Sequence, residues 1–184
     1  MIIVYNLHNA FKRSQLEIYS EASYHLLTNF LLPYKKEKLP VNVTFEVATG
    51  KKAYDIIRLF QSGEYFFSQK FIDVLSYYID MSEKCYPIMI DGLEKQYYVI
   101  YNLENLPYLN KEKAMFDEEP SFCCGEEIMA PLFGVDDTRC FVVTEEIKNA
   151  MMQNNISNVY FEESFLCTEE EYEVWHNSRL NRLF

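Results

Sequence analysis

The sequence predicts an α+β protein, with a mixed or mainly antiparallel sheet and helices packed on it. Hydrophobic residues make up 49% of the 184 residues, which is enough apolar surface to bury a core. Short apolar runs typical of strands alternate with segments of helical periodicity, without a regular βαβ rhythm. Glycine and proline are scarce and no linker divides the chain. We therefore expect a single α+β domain over residues 1–184.

The N-terminal part of the chain predicts a strand, a helix and a second strand. Residues 2–7 alternate weakly and indicate the first strand. Ser14 and Glu17 fit a capping box, and apolar residues at helical spacing then predict a helix over about 15–31. Residues 41–47 alternate between apolar and polar side chains, which is typical of a half-buried strand.

Two later segments share one pattern, in which a short apolar strand, a hydroxyl residue at the N-cap position, an amphipathic helix and another strand follow one another. The first has strand 65–67, Ser68, helix 69–80 and strand 86–90, and the second has strand 141–143, Thr144, helix 145–154 and strand 159–161. Each hydroxyl is predicted to accept a hydrogen bond from the backbone of its helix. The pattern predicts an internal duplication, with units at about 65–101 and 140–163. Coincidence is the alternative, because such units are common in α+β proteins.

The remaining elements follow from turn and cap signals. Asp91-Gly92 marks a tight turn, so residues 86–101 are predicted to form a hairpin. Residues 110–127 are polar and acidic and are predicted to form an exposed loop. Thr168 and the three glutamates that follow it predict a capping box and a last helix over about 169–180.

The charge of the chain is strongly asymmetric. The 28 acidic and 17 basic residues give a net charge of −11, with about +1 in residues 1–90 and −12 in residues 91–184. This balance argues against a general nucleic-acid binder, which needs a basic surface to release counterions. No apolar run is long enough for a membrane helix, and the N-terminus lacks the pattern of a signal peptide. We expect a cytoplasmic protein without a membrane or nucleic-acid partner.

The acidic residues occur in short clusters, two of which fall in predicted loops at 117–127 and 136–137. One interpretation is a solvated surface that keeps the protein soluble. The other is a surface that meets a basic partner. The residues predicted to contact such a partner are Asp117, Glu118, Glu119, Glu126, Glu127, Asp136 and Asp137.

No catalytic motif is found, and we predict that the protein is not an enzyme. The glycines are too scattered for a phosphate-binding loop, and neither GxSxG nor HExxH occurs. The five cysteines are predicted to be reduced, with no metal site and no cofactor. Cys123 and Cys124 are followed by two glutamates, which raise a thiol pKa and weaken it as a nucleophile. Tyr172 and Trp175 are predicted to seal the core, with an interface role as the alternative.

Several stretches of the chain together resemble a known family. They are Lys52–Ile56, Tyr65–Phe71, the hairpin from Tyr86 to Asn102, Leu132-Phe133, Cys140–Ile147 and Asn154–Phe161. In the family pattern an aspartate precedes a strand that ends in serine, and a charged residue and a phenylalanine then open a helix. The sequence resembles, over roughly residues 41–165, the bacterial immunity proteins of polymorphic toxin systems, a family formerly described as a domain of unknown function. It departs from the family where Ser157-Asn158 stands in place of a usual glycine after the second helix.

The resemblance implies a protein that binds and neutralises a cognate toxin made by the same cell or its kin, and it carries over no catalytic residue. The acidic surface agrees with a basic toxin as the partner. A structural or regulatory module with another partner is the alternative, and a small hydrolase is a third reading. A toxin-like reading frame beside the gene favours immunity. A deep pocket of converging carboxylates favours an enzyme.

Overall fold

A computed structural model describes residues 1–116, 118–128, 130–136 and 138–180. The described residues form thirteen strands and five helices. The strands are β1 (Ile2–Asn9), β2 (Glu17–Tyr19), β3 (Phe45–Thr49), β4 (Ile56–Leu59), β5 (Tyr65–Ser68), β6 (Cys85–Ile88), β7 (Ile90–Asp91), β8 (Tyr97–Ile100), β9 (Asn105–Leu106), β10 (Ser121–Cys124), β11 (Leu132–Val135), β12 (Phe141–Val143) and β13 (Val159–Cys167). The helices are α1 (Tyr24–Leu31), α2 (Gln69–Ser76), α3 (Lys111–Met115), α4 (Glu145–Gln153) and α5 (Glu169–Leu180).

The protein has an α+β fold, as predicted, but its strands form two sheets. The seven-stranded sheet has the order β6-β8-β5-β4-β2-β3-β7, and the six-stranded sheet has the order β10-β13-β1-β12-β11-β9. Both sheets contain parallel and antiparallel pairs. The long central pair of the six-stranded sheet, β1 with β13, is antiparallel and runs in register from Ile2 opposite Leu166 to Asn9 opposite Val159.

The six-stranded sheet closes on itself. The chain leaves β9 and continues into Pro107–Leu109, which pairs with the opposite edge strand, β10. The Cys124 amide donates to the Pro107 carbonyl at 2.9 Å and the Leu109 amide donates to the Phe122 carbonyl at 2.9 Å. The inner face is apolar at one end, where Val4, Val142 and Leu166 form part of a buried cluster. Closure thus leaves the sheet without a free strand edge along β10.

The two sheets share one core. Helix α2 packs on the seven-stranded sheet and α4 packs on the six-stranded sheet, and both helices contribute to a single buried cluster. Phe67 of β5 and Phe141 of β12 meet edge to face within it, with ring centroids 5.1 Å apart. Phe71 and Ile147, one from each helix, are also fully buried there. A second cluster lies on the other face of the seven-stranded sheet, beneath α1.

The two strand–helix–strand segments have the same connectivity. Helix α2 joins β5 to β6, and α4 joins β12 to β13, and in each unit one antiparallel strand lies between the two joined strands. That inserted strand is β8 in the first unit and β1 in the second. Each unit is also preceded by an antiparallel partner strand, β4 and β11 respectively. The shared connectivity supports the predicted duplication, which stays a prediction.

The cap prediction is confirmed for Ser68 and wrong for Thr144. The Ser68 hydroxyl accepts a hydrogen bond from the Phe71 amide at 3.3 Å. Thr144 has the extended backbone of an N-cap residue, but its side chain makes no cap hydrogen bond. Its Oγ1 atom is buried without a hydrogen-bond partner among the described residues.

The helix predicted over 15–31 is wrong in its first half. Strand β2 lies there, paired with β3 and β4, and Leu16 and Ile18 are both buried. Ser14 has a φ of +64°, which lies outside the extended backbone typical of a helix N-cap. The helix begins instead after Ser23, whose hydroxyl accepts from the Leu26 amide at 3.3 Å. Leu16 and Ile18 are buried because a strand pairs with β2 on each side, and this pairing overrides the local helical pattern.

Three other predictions are corrected or confirmed in detail. The strand predicted at 41–47 is observed as β3, which begins only at Phe45, its one buried residue; Val43 before it is half-buried against the core, and Val47 is exposed. The polar segment 110–127 is not a free loop, because it contains α3 and the largely buried strand β10. The hairpin at 86–101 is confirmed by the antiparallel pair of β6 and β8, with Gly92 in the turn at a φ of +79°.

Candidate functional site

The net negative charge of the protein lies in the part of the chain that carries most of the six-stranded sheet. Residues 11–102 carry every strand of the seven-stranded sheet and contain 11 Lys/Arg and 11 Asp/Glu. Residues 103–180 carry five strands of the six-stranded sheet and contain 5 Lys/Arg and 17 Asp/Glu. The other strand, β1, has no charged side chain except the titratable His8. The charge asymmetry of the sequence is therefore an asymmetry between two halves of the fold.

Most of the predicted contact residues lie on the surface. Glu118, Glu126, Glu127 and Asp136 are exposed. Asp117 and Asp137 lie outside the described residues. The Asp136 carboxylate accepts a hydrogen bond from Asn105.

Glu126 lines a larger acidic cleft whose residues lie far apart in the sequence. A cavity of about 360 Å³ lies between the segment after β10 and the start of α5. Glu126, Glu169 and Glu170 all line it. Below them, the Thr168 hydroxyl accepts from the Glu171 amide at 3.2 Å and the Glu171 carboxylate accepts from the Thr168 amide at 3.0 Å. The predicted capping box is therefore formed at the start of α5, beside this cleft.

Glu119 has a structural role in the fold, and its contact with a partner stays a prediction. Its side chain is 7% exposed, and Oε1 lies 2.6 Å from His176 Nδ1. Tyr172 OH donates to Oε2 at 2.9 Å, and Asn110 Nδ2 donates to the same oxygen at 3.1 Å. Burial acts to raise the pKa of Glu119, but the hydrogen bonds from Asn110, Tyr172 and His176 outweigh it and lower that pKa. Glu119 thus holds α5 against the segment before β10.

The aromatic residues of α5 have the structural role that the sequence predicts. Tyr172 is buried, and Trp175 packs on Phe122 with ring centroids 4.6 Å apart. Both contacts lie on the outer side of β10 and β13, in a small cluster with Cys167. Sealing this end of the sheet is therefore their function in the fold.

Asp55, the aspartate of the family pattern, joins the two halves of the molecule. Its Oδ1 accepts from the Ser68 hydroxyl at 2.7 Å, and its Oδ2 accepts from the Ser157 hydroxyl at 2.7 Å and the Ser157 amide at 2.8 Å. Lys95 Nζ lies 3.3 Å from Oδ1. Burial acts to raise the pKa of Asp55, but the hydrogen bonds from Ser157 and Ser68 are stronger in sum and lower that pKa. The residue pattern behind the resemblance is therefore a buried structural cross-link.

Asn158 extends this cross-link from a backbone conformation that favours glycine. Its φ is +64°, a left-handed conformation that glycine adopts most easily and asparagine tolerates. Its Nδ2 donates to the Gln15 side chain at 2.7 Å and to the Ile56 carbonyl at 2.9 Å. Its Oδ1 accepts from the Lys12 amide at 3.0 Å. The amide side chain supplies contacts that a glycine lacks, so it offsets the strain of the backbone.

Burial makes three of the cysteines poor nucleophiles. All five are free thiols. Burial raises the pKa of Cys123 to about 12 and that of Cys167 to about 11, and it also raises the pKa of Cys140. At Cys123 the largest cause of the raised pKa is burial, and the nearby glutamates that were expected to raise it are not among the causes.

A cavity that the sequence did not predict lies where β1 ends and β13 begins. Its volume is about 390 Å³, and His8, Tyr160 and Glu162 lie in its wall. A second cavity of about 260 Å³ shares His8 and Glu162 with the first and continues to Lys111 and Met115. The residues come from opposite ends of the chain, so only the strand pairing brings them together.

Within the described ranges, no group of three or more His, Cys, Asp or Glu side chains is arranged to hold a metal ion. None of the helices in the described part of the chain combines the length and the apolar character needed to cross a membrane. Comparison with protein-family models and with curated proteins found no match.

Proposed function

We propose that this chain is an immunity protein that binds and neutralises a cognate bacterial toxin through the acidic six-stranded half of its fold. The observation that carries the proposal is the segregation of charge between the two sheets. Fourteen of the fifteen acids described in residues 103–180 are exposed, with Glu119 as the exception. The toxin is accordingly expected to present a basic surface, and the complex to form in the cytoplasm of the producing cell.

An acidic surface attracts a basic partner over a long range. A concentrated negative field raises the rate at which a basic partner is encountered, which matters for a protein that must intercept a toxin before it acts. The neutral half does not weaken the field, because its charges balance. The family resemblance supports the same function, and its pattern residues Asp55 and Ser68 act in the fold, as expected for a binding protein without a family-wide catalytic residue.

The direct test is co-expression with the product of a toxin-like reading frame adjacent to this gene. We expect the two proteins to copurify as a stable complex and cells that express the toxin to survive only when this chain is present. A variant with Glu118, Glu126, Glu127 and Asp136 neutralised should protect less well. Survival that is independent of this chain, or the absence of a complex between the purified proteins, would contradict the proposal.

A further inference from the structure

The cavity at the end of β1 and β13 has aromatic and acidic walls. It measures about 390 Å³, within the usual range for ligand sites, and is lined by His8, Asn9, Ala10, Phe11, Tyr160 and Glu162. His8 lies opposite Tyr160 in the antiparallel pair. Glu162 follows two positions along β13 and therefore points to the same face. The strand register thus places two rings and one carboxylate around one opening.

Glu162 is available to a cationic group. Its side chain is 51% exposed, and its one hydrogen-bond partner among the described residues is His8 Nε2, at 3.2 Å. No lysine or arginine is among the described residues that line the cavity. Because the surrounding half of the fold is acidic, the field at this opening favours a positive side chain.

Phe11 forms the rim of the cavity in a constrained backbone. Its φ is +49°, which is rare for a bulky residue, and its amide donates to Asn9 Oδ1 at 2.7 Å. Phe11 as a residue remains 57% exposed despite this constraint. The Arg58 guanidinium carbon lies 5.1 Å from the ring centroid, and Arg58 is itself paired with Glu17. The ring therefore already accepts one guanidinium of this chain.

We propose that this cavity binds an arginine side chain presented by the basic partner. The planar guanidinium stacks on the exposed rings of Phe11 and Tyr160 and donates hydrogen bonds to Glu162, a combination that an ammonium group meets less well. The identity of the partner rests on the proposed function. The proposed arginine binding is argued from the residues that line the cavity. It adds one specific contact to the broad acidic surface.

The test uses the full chain and a small probe of known chemistry. Amide resonances are followed during titration with N-acetyl-arginine amide at low salt, and the same titration is run with the neutral analogue N-acetyl-citrulline amide and with N-acetyl-lysine amide. We expect saturable shifts confined to residues 8–11 and 160–162 with the arginine probe. The citrulline probe should cause no such shifts, and the lysine probe should bind more weakly.

Matched variants separate this cavity from the general charge. Glu162→Gln should weaken arginine binding by roughly tenfold or more, since it removes the charge from a charge-assisted pair. Tyr160→Leu should also weaken it. Glu163→Gln removes an equal charge from the adjacent residue on the opposite face of β13 and should bind the probe as the wild type does.

Shifts spread over all acidic segments, equal binding of citrulline or lysine, or unchanged binding by Glu162→Gln would overturn the arginine site. None of these results would affect copurification with the toxin, which tests the proposed function separately. If the toxin binds and the probe does not reach the cavity, the function stands and the contact lies elsewhere.

Discussion

At the scale of single residues, the acidic side chains with the largest expected effect on stability are the buried carboxylates. Asp55 is 5% exposed and accepts hydrogen bonds from both the first and the second strand–helix–strand unit. Glu119 has a similar set of donors at the other end of the molecule. A buried charge with several donors is costly to disturb, because the donors lose their partner without gaining water. These acids stabilise the fold, whereas the exposed ones contribute little to folding.

Asp55→Asn should lower the free energy of unfolding at neutral pH by about 2–3 kcal/mol, because it replaces charge-assisted hydrogen bonds to Ser68 and Ser157 with weaker or mismatched ones. Urea denaturation measures the loss. Asp73→Asn is a control on the exposed face of α2 and should change stability by less than about 0.5 kcal/mol. Equal stability of the two variants would show that Asp55 is not the cross-link described here.

The same residue predicts how stability depends on pH. The pKa of Asp55 is lowered from 3.8 in the folded protein. A lowered folded pKa means that its contribution is present above the unfolded value and is lost as the pH falls through the folded pKa. The wild type should therefore lose stability in acid, below about pH 4, and Asp55→Asn should show a shallower loss over that range. Identical acid limbs in urea titrations at successive pH values would contradict this assignment.

At the scale of elements, the two helix N-termini of the repeated pattern differ although their sequences look alike. The Ser68 hydroxyl both caps α2 and donates to Asp55, whereas the Thr144 hydroxyl is buried without a partner among the described residues. The local sequence at each site satisfies the same cap rule, so the difference comes from the surroundings of each side chain. Helix α5 also combines a local and a distant contact. Its capping box lies within its own first turn, whereas Glu119, which accepts a hydrogen bond from Tyr172, lies about fifty positions earlier in the sequence.

Ser68→Ala should lower the free energy of unfolding by about 2 kcal/mol, since it removes a cap and also a partner of a buried carboxylate. Thr144→Val keeps the shape of the side chain and removes an unpartnered hydroxyl, so it should leave stability unchanged or raise it by up to about 1 kcal/mol. Thermal and urea unfolding of the two variants measures the contrast. A larger loss in Thr144→Val than in Ser68→Ala would mean that the capping roles are reversed.

Glu119→Gln should lower the free energy of local unfolding of α5 by about 1–3 kcal/mol. The substitution replaces the carboxylate that binds Tyr172 and His176 with an amide. Hydrogen exchange should speed up at the amides of α5 while those of α2 keep their protection. Glu118→Gln, an exposed neighbour, is the matched control and should leave both helices unchanged. Uniform loss of protection throughout the chain would show that Glu119 supports the whole core instead of this helix.

At the scale of the whole molecule, the fold separates a neutral half from an acidic half around one shared core. The core cluster draws on both sheets through α2 and α4, so the two halves are held together by packing as well as by Asp55. The acidic half can therefore present many like charges while the balanced half and the common core maintain the structure. Such a division is compatible with the proposed attraction of a basic partner.

A variant with Glu118→Gln, Glu126→Gln, Glu127→Gln and Asp136→Asn should associate more slowly with the basic partner. The difference should shrink as salt rises, because the Debye length falls to about 8 Å near physiological ionic strength. Stopped-flow association at two salt concentrations measures it, with unfolding as the stability control. The matched variant neutralises four exposed acids of the other half, Glu21, Glu37, Glu83 and Glu94. Equal on-rates for the two variants would show that the acidic half does not direct association.

The amino-acid sequence by itself determined the fold class, helices α2, α4 and α5, the hairpin of β6 and β8, and the charge asymmetry. These follow from side-chain periodicity, caps and turns, which depend on residues within a few positions of one another. The same local rules failed at residues 15–23, where two flanking strands bury Leu16 and Ile18 and override a helical pattern.

Only the tertiary structure decided which acids are exposed and which residues share a cavity. In the sequence, Glu119 is indistinguishable from the acids around it. In the structure, Tyr172 and His176 of α5, about fifty positions further along, contact its carboxylate. His8 meets Glu162 because β1 pairs with β13 in one register across 154 positions of sequence. A register shift of one residue would point Glu162 to the other face of the sheet. Pairing over such distances is set by the burial of whole faces, and no short stretch of sequence contains that information.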